Sequence, residues 1–246
     1  MSKNDTPDRI SQNRIEFRNL VKQLILPFEQ SSAVEARDFI VSSSNEAAYL
    51  WLMCWPQWPH PCLALYGEKG CGKTHLSSIW QTTSKARYLR ALDFNTLSLE
   101  NLFDNPPLFI LDGAHLIKNE KKLFHFYNHV MASKGYILFL SQIAPAHWET
   151  KLPDLSSRLN AIPAVKIHPP DEVLLTQVIQ KLFSDLQLKV DEAVIAFLIK
   201  HMERSFESAH LWTSALNTFA MTQKRSITVP VVREILSQPE LVGMPL

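Results

Sequence analysis

The segment GEKGCGKT, residues 67–74, has the residue types and the spacing of a phosphate-binding loop. It fits the pattern G-x-x-x-x-G-K-S/T and lies between an apolar strand candidate and a stretch with helical character. Glycines let such a loop wrap closely around phosphate, and the start of the following helix adds a partial positive charge. The alternative is a tight glycine turn without a ligand. The residues expected to bind nucleotide here are Gly67, Gly70, Cys71, Gly72, Lys73, Thr74 and His75.

Catalysis at such a loop needs a cation for the phosphates and oxygen ligands for Mg²⁺. Lys73 is expected to reach the β- and γ-phosphates, and the Thr74 hydroxyl is expected to bind Mg²⁺. Asp112 ends the apolar run LFILD and is expected to position the metal ion, the alternative being an acid that caps the next loop. Gly113 has no side chain to polarise an attacking water, and His115 is a poor geometric substitute. The sequence therefore predicts binding of ADP or ATP with Mg²⁺ and weak intrinsic hydrolysis.

Two polar residues further along the chain have two interpretations each. Ser141 ends the apolar run GYILFLS and is expected to touch the γ-phosphate or the attacking water, although solvated strand ends are common. Arg158 lies in LPDLSSRL, residues 152–159, after a proline-broken loop. It fits an arginine finger that reaches the nucleotide of a neighbouring subunit. On the residues alone, a surface salt bridge is the better interpretation of Arg158.

The elements that must position these residues form an alternating pattern. Near-continuous apolar runs separated by helical stretches indicate a parallel sheet covered on both faces. A helix is expected from Ser44 or Asn45 up to the proline-rich run WPQWPHP, another from residue 74 and a third over residues 121–133. The strand candidates are CLALY (62–66), ARYLRAL (86–92), LFILD (108–112), GYILFLS (135–141) and AVKI (164–167).

The pattern of predicted elements changes after His168-Pro169-Pro170, where strands end and only helical patterns follow as far as residue 238. Asp171 and Asp191 are suitable amino-terminal caps, and Pro230 suits a first helical turn. We therefore expect an α/β domain followed by a small all-α domain. The expected boundaries are a flexible arm at residues 1–29, a nucleotide-binding domain at 30–168 and a helical domain at 169–246.

Composition restricts the class of protein. The chain has 246 residues, of which 46% are hydrophobic and 20% charged, as in a globular protein. Its net charge of +1 gives no bulk positive field that would favour nucleic acid. Three cysteines without framework spacing suggest reduced thiols in a cytoplasmic protein. No signal peptide and no membrane span are expected, because no apolar run approaches about eighteen residues.

These motifs together resemble the AAA+ core of the bacterial replication initiator DnaA, and more specifically the Hda family of DnaA-related regulators. The P-loop, LFILD, LPDLSSRL and the helical tail carry the first resemblance. SNEAAYLW, WPQWP, CGKTHL, ITVP and VREIL, in this order and placement, carry the second, which extends over residues 23–238. The resemblance implies an AAA+ fold with a five-stranded parallel sheet and a helical lid. The carboxy-terminal DNA-binding domain of the initiator is not expected in this chain.

The Hda resemblance also explains the apolar hexapeptide QLILPF, residues 23–28, in the polar amino-terminal arm. It is similar to the peptide by which Hda proteins bind the replicative sliding clamp, the β subunit of DNA polymerase III. An arm that packs on its own domain is the alternative. The residues expected to bind the clamp are Gln23, Leu24, Leu26, Pro27 and Phe28.

The family mechanism gives Arg158 the role of an arginine finger acting in trans on ATP-bound DnaA, so that DnaA–ATP becomes DnaA–ADP and re-initiation is suppressed. DNA is expected to be contacted only through the clamp, and a homodimer is compatible with the family. The lid of such domains carries a sensor arginine that reads the bound nucleotide. One alignment places Arg204 at that position and another places Glu207 there, and both alignments remain open. Two rival functions are a self-oligomerising ATPase of the helicase-loader type and a scaffold that binds clamp and DnaA without stimulating hydrolysis.

Overall fold

A five-stranded parallel sheet organises the first part of the chain. The protein is represented by a computed structural model that describes residues 39–99, 102 and 107–237. The strands are β1 Cys62–Tyr66, β2 Arg87–Arg90, β3 Leu108–Asp112, β4 Tyr136–Ser141 and β5 Ala164–Lys166. Their spatial order is β2-β3-β4-β1-β5, and every pairing is parallel. The predicted parallel sheet is therefore confirmed, and the carboxyl ends of all five strands lie at the same edge.

Helices connect and cover these strands. Short 3₁₀ turns follow β3 at Ala114–Leu116 and β4 at Pro145–His147. The α-helices of the described residues are α1 Glu46–Met53, α2 Lys73–Ser84, α3 Ala91–Thr96, α4 Glu120–Ala132, α5 Pro153–Asn160, α6 Glu172–Asp185, α7 Glu192–His201, α8 Phe206–Gln223 and α9 Val229–Ser237.

The sheet separates two apolar layers, because successive side chains of a strand point to opposite faces. Phe109 and Leu111 of β3 belong to a core that also contains Phe94 of α3 and Phe126 of α4. Ile110, between them in sequence, belongs to the opposite core. That second core also contains the buried apolar residues Ala48, Leu52, Leu76, Ile79 and Trp80 of α1 and α2. Burial on both faces explains why the strands read as continuous apolar runs.

Two segments differ from the sequence prediction. The second strand ends at Arg90, and Ala91–Thr96 form a helix, so the expected strand over 86–92 is wrong at its carboxyl end. The break occurs where Ala91 and Phe94 turn their side chains into the core, a spacing of three that suits a helix. The proline-broken segment before Arg158 is also a helix, because Pro153 occupies its first position, where no N–H is needed.

The described residues form two compact units that do not follow the order of the chain. Residues 39–175 form one unit together with Arg204–Glu207. Residues 176–203 and 208–237 form the other, which is entirely helical. The start of α6 is capped as predicted, since Oδ1 of Asp171 accepts the N–H of Leu174 at 2.7 Å. None of the described helices is long and apolar enough to cross a membrane.

The helical unit has its own apolar core. Helices α7 and α9 pack against each other, and their inward faces are fully or almost fully buried. Pro230 lies in the first turn of α9, as predicted. The buried residues of these two helices are Val194, Ile195, Leu198, Ile199, Val231, Val232 and Ile235.

Candidate functional site

The loop between β1 and α2 adopts a conformation that depends on its glycines. Gly70 and Gly72 have φ angles of +76° and +98°, in the left-handed region that residues with a side chain rarely adopt. A Cβ atom at Gly70 would lie 2.8 Å from the Cβ of Ser205, which is too close for any packed pair. The residue at the amino end of α2 is Gly72, which has no side chain to cap the first backbone N–H groups of the helix. This arrangement fits an anionic phosphate group.

Lys73 lies folded into this loop. Its Nζ atom donates to the carbonyl oxygens of Gly67 at 2.8 Å and Glu68 at 2.7 Å. It also lies 3.6 Å from the sulfur of the buried Cys71. The ammonium group is therefore held by neutral acceptors of the loop itself. Phosphate oxygens are stronger acceptors for a cation than carbonyls are, so this lysine is suited to exchange the two carbonyls for phosphate.

The two residues expected to bind Mg²⁺ are connected by a tyrosine that the sequence did not point to. Asp112 ends β3, next to the carboxyl end of β2, where Arg90 is its register partner. The hydroxyl of Tyr88, on β2, donates to Oδ2 of Asp112. The Thr74 side chain lies near the same hydroxyl and acts to lower its pKa, against the larger effect of burial, which raises it. Thr74, Tyr88 and Asp112 thus form one polar group beside the loop.

His115 completes this edge of the sheet. Burial lowers the pKa of its imidazole, and the positive charge of Lys73 lowers it further, while Asp112 acts in the opposite direction. The ring is therefore neutral near pH 7. Its Nδ1 atom is buried and has no hydrogen-bond partner among the described residues. A polar ligand in the loop offers a partner to this atom, which is a second feature that fits a bound nucleotide.

Two of the predicted nucleotide contacts are occupied differently. Ser141 is buried, and its hydroxyl donates to the carbonyl of Ile143 at 2.7 Å. The next residue, Gln142, is exposed at the same strand end. His75 lies in the first turn of α2, and its ring makes an edge contact with Phe39 at 5.3 Å between centroids. Gln142 is therefore better placed than Ser141 to offer a free polar group at this edge.

The segment Arg204–Glu207 packs directly on the loop. The N–H of Phe206 donates to the carbonyl of Gly70 at 3.0 Å. Lys69 forms an ion pair with Glu207 at 3.1 Å, whereas Arg204 lies 3.9 Å from Glu172. Of the two alignments left open by the sequence, the structure places the acid, Glu207, against the loop. Both pairs are largely exposed, so each contributes little to stability.

Arg158 occupies a separate place, on α5. Its guanidinium carbon lies 5.0 Å from the ring centroid of Phe124 and 5.4 Å from that of Tyr127, both on α4. Burial raises the pKa of the Tyr127 hydroxyl to about 12, with a contribution in the same direction from the buried Cys62. Arg158 has no carboxylate partner among the described residues, so the structure does not support the surface salt bridge.

The predicted clamp-binding residues, Gln23, Leu24, Leu26, Pro27 and Phe28, lie outside the described residues.

Solved structures of replication initiation proteins share this fold. Domain III of the DnaA protein of Thermotoga maritima matches with a TM-score of 0.69 and 19% sequence identity, over 85% of this chain and 96% of that one. AMPPCP-bound DnaA from Aquifex aeolicus matches with a TM-score of 0.64 and 19% identity, over 80% and 68%. The chain therefore shares its fold with these DnaA proteins, and it carries a P-loop sequence between β1 and α2.

A family model matches the helical part of the chain. The model of the Hda lid domain matches residues 175–236. A relative from Haemophilus influenzae, an uncharacterised protein, is 26% identical over 194 residues, which cover 72% of this chain and 82% of the relative. Residues 175–236 are thus similar to the Hda lid domain and the fold is similar to that of DnaA, in agreement with the resemblance found in the sequence.

Proposed function

We propose that this protein is a negative regulator of replication initiation, which the DNA-loaded sliding clamp recruits and which stimulates ATP hydrolysis on DnaA through Arg158. The observation that carries the proposal is the position of Arg158 in a chain with an Hda lid. Its guanidinium rests on two aromatic rings and makes no ion pair among the described residues. A planar cation held in this way keeps N–H donors for the phosphates of a partner's nucleotide.

The protein's own nucleotide site binds ADP or ATP under this proposal. The loop N–H groups and Lys73 hold the phosphates, while Thr74 and Asp112 hold the magnesium ion that accompanies them. Magnesium supplies charge neutralisation to the phosphate oxygens. Two features support this assignment: Gly72 has no side chain to cap the start of α2, and Nδ1 of His115 has no partner among the described residues.

Hydrolysis in this site is expected to be weak. Gly113 offers no carboxylate that could activate water, and the neutral His115 stands two residues further along. Glu207, rather than an arginine, faces the loop from the start of α8. A carboxylate there cannot donate to phosphate, so the bound nucleotide serves mainly as a structural ligand. These features argue against the helicase-loader type of ATPase.

Recruitment by the clamp is assigned to residues 23–28. In this proposal Gln23 forms a hydrogen bond at one end of a groove on the clamp, and Leu24, Leu26 and Phe28 fill apolar pockets. Pro27 stiffens the peptide, which lowers the conformational entropy lost on binding. The support is the residue pattern QLILPF and its position ahead of the AAA+ domain.

The test is a reconstitution with ATP-loaded DnaA, DNA-loaded clamp and this protein. Conversion of DnaA-bound ATP to ADP is followed with each component omitted in turn. Conversion that requires all three components supports the regulator. Hydrolysis of added ATP by this protein alone, without DnaA, supports the rival ATPase. Binding of clamp and DnaA without conversion supports the scaffold.

A double variant separates recruitment from the nucleotide site. Replacing Gln23 and Leu24 by Ala is expected to abolish clamp-dependent conversion and clamp binding while leaving ADP affinity unchanged. The matched control replaces Gln12 and Leu20 of the same arm by Ala and is expected to retain both activities. Clamp binding retained by the Gln23/Leu24 variant contradicts the docking role of the hexapeptide.

A further inference from the structure

No motif in the sequence identifies Tyr88 as a functional residue. It is half-buried as the second residue of β2, an edge strand of the sheet, and it pairs with Ile110 of β3. Its hydroxyl donates to Oδ2 of Asp112. The Thr74 side chain, at the start of α2, lies near the same hydroxyl. The phenol thus bonds to one of the two residues assigned to the magnesium ion and lies near the other.

A phenol bonded to a carboxylate restricts how that carboxylate can turn. A hydrogen bond to an ionised acceptor is short and roughly twice as strong as one between neutral groups. The bond from Tyr88 holds Oδ2 of Asp112 and does not use Oδ1. Outer partners that orient a metal-binding carboxylate in this way typically change metal affinity by about 10–100-fold when they are removed.

We propose that Tyr88 is a positioning residue for magnesium, which holds the Asp112 carboxylate in the orientation that lets Asp112 and Thr74 bind a nucleotide-associated Mg²⁺ together. The inference rests on the proposed nucleotide binding and deepens it. Tyr88 acts through Asp112 and does not touch the nucleotide. If the phenol instead competes with magnesium for Asp112, removal of the hydroxyl is expected to raise the affinity for magnesium.

The experiment removes the hydroxyl alone. Tyr88→Phe is compared with Tyr136→Phe, because Tyr136 lies at the opposite, amino end of β4 and its hydroxyl donates to the carbonyl of Pro56. Each full-length protein is loaded with a fluorescent ADP analogue without magnesium, and Mg²⁺ is then titrated. The readouts are the midpoint of the magnesium titration and the magnesium-free affinity for the analogue.

Tyr88→Phe is expected to raise the magnesium midpoint about 10-fold and to leave the magnesium-free affinity within about twofold. Tyr136→Phe is expected to change neither quantity. In an Asp112→Asn background, Tyr88→Phe is expected to add nothing, since its effect passes through the carboxylate.

An unchanged or lowered midpoint in Tyr88→Phe overturns the inference, as does an equal shift in Tyr136→Phe or a full shift in the Asp112→Asn background. In these cases the wild type still binds nucleotide with magnesium, so the proposed function stands. A wild type that binds the analogue with no magnesium dependence overturns the inference and the magnesium assignment of Thr74 and Asp112 together.

Discussion

The cations Lys73 and Arg158 are held by opposite means. Lys73 donates to two backbone carbonyls of its own loop, at 2.8 and 2.7 Å. Arg158 lies over two aromatic rings of α4, at 5.0 and 5.4 Å. The N–H donors of Lys73 are thus used in hydrogen bonds. The guanidinium group of Arg158 is instead supported by the aromatic rings.

Under the proposed function, the two arrangements suit different tasks. A lysine bonded to carbonyls can exchange them for phosphate within the same loop, so it serves a ligand that enters its own site. An arginine supported by rings keeps its orientation without using all its donors, so it suits a ligand that belongs to another protein. Four variants test this comparison, in order of decreasing expected effect.

Arg158→Ala is expected to reduce stimulation of DnaA hydrolysis by about 10³-fold or more, the range of an arginine finger supplied in trans. ADP binding by this protein and clamp binding are expected to stay unchanged. Single-turnover conversion of DnaA-bound ATP measures the effect. Arg158→Lys is the control that keeps the charge but loses the planar fork, and it is expected to restore only a small part. Full activity in the alanine variant would remove Arg158 from the mechanism.

Lys73→Ala is expected to weaken ADP binding to this protein by about 10–100-fold, since a charged hydrogen bond contributes about 1.5–3 kcal/mol. Calorimetry on the purified protein measures the affinity. Lys69→Ala is the matched control, because Lys69 belongs to the same loop but pairs with Glu207. If both variants lose the same affinity, the loop attracts nucleotide by charge alone and Lys73 has no special position.

Phe124→Leu is expected to lower stimulation of DnaA about 2–5-fold, because one aromatic support of Arg158 contributes about 0.5–1 kcal/mol at an exposed site. The rate at saturating protein should fall while clamp binding stays constant. Phe197→Leu removes a similar contact with Arg233 in the helical unit and should leave the rate unchanged. A normal rate in Phe124→Leu would show that the ring does not orient the finger.

Glu120→Gln tests the loop that leads into α5. The Glu120 carboxylate accepts the N–H groups of Lys151 and Leu152 and the Thr150 hydroxyl. These bonds lower its pKa, the N–H of Lys151 most strongly. The carboxylate therefore stabilises the fold above its ordinary pKa of about 4.3, and this contribution is lost as pH falls through the lower folded value.

The expected result for Glu120→Gln is a melting temperature lower by about 1–2 °C at pH 7, with the difference from wild type shrinking as pH falls below the ordinary pKa of about 4.3. Thermal unfolding measured between pH 3 and pH 7 checks it, with Glu149→Gln, which removes an exposed carboxylate nearby, as the control. A constant difference at every pH would assign the effect to packing rather than to charge.

The strands and the phosphate-binding loop could be predicted from short stretches of sequence. CLALY and LFILD are apolar runs, and the structure has strands over the same residues, 62–66 and 108–112. The run ARYLRAL predicts a strand over residues 86–92, but the helix already begins at Ala91. The run contains no glycine or proline that would mark this boundary. Core packing of Ala91 and Phe94 decides that boundary.

The sequence by itself determined the loop, the strand that ends in Asp112, the helical lid and the resemblance to DnaA-related proteins. These features depend on glycine, proline and apolar spacing, which act over a few residues. Only the tertiary structure placed Tyr88 on Asp112, Arg158 on Phe124 and Glu207 on Lys69. Tyr88 meets Asp112 because β2 and β3 are neighbours in the sheet, and that order is set by packing between distant segments rather than by local preference.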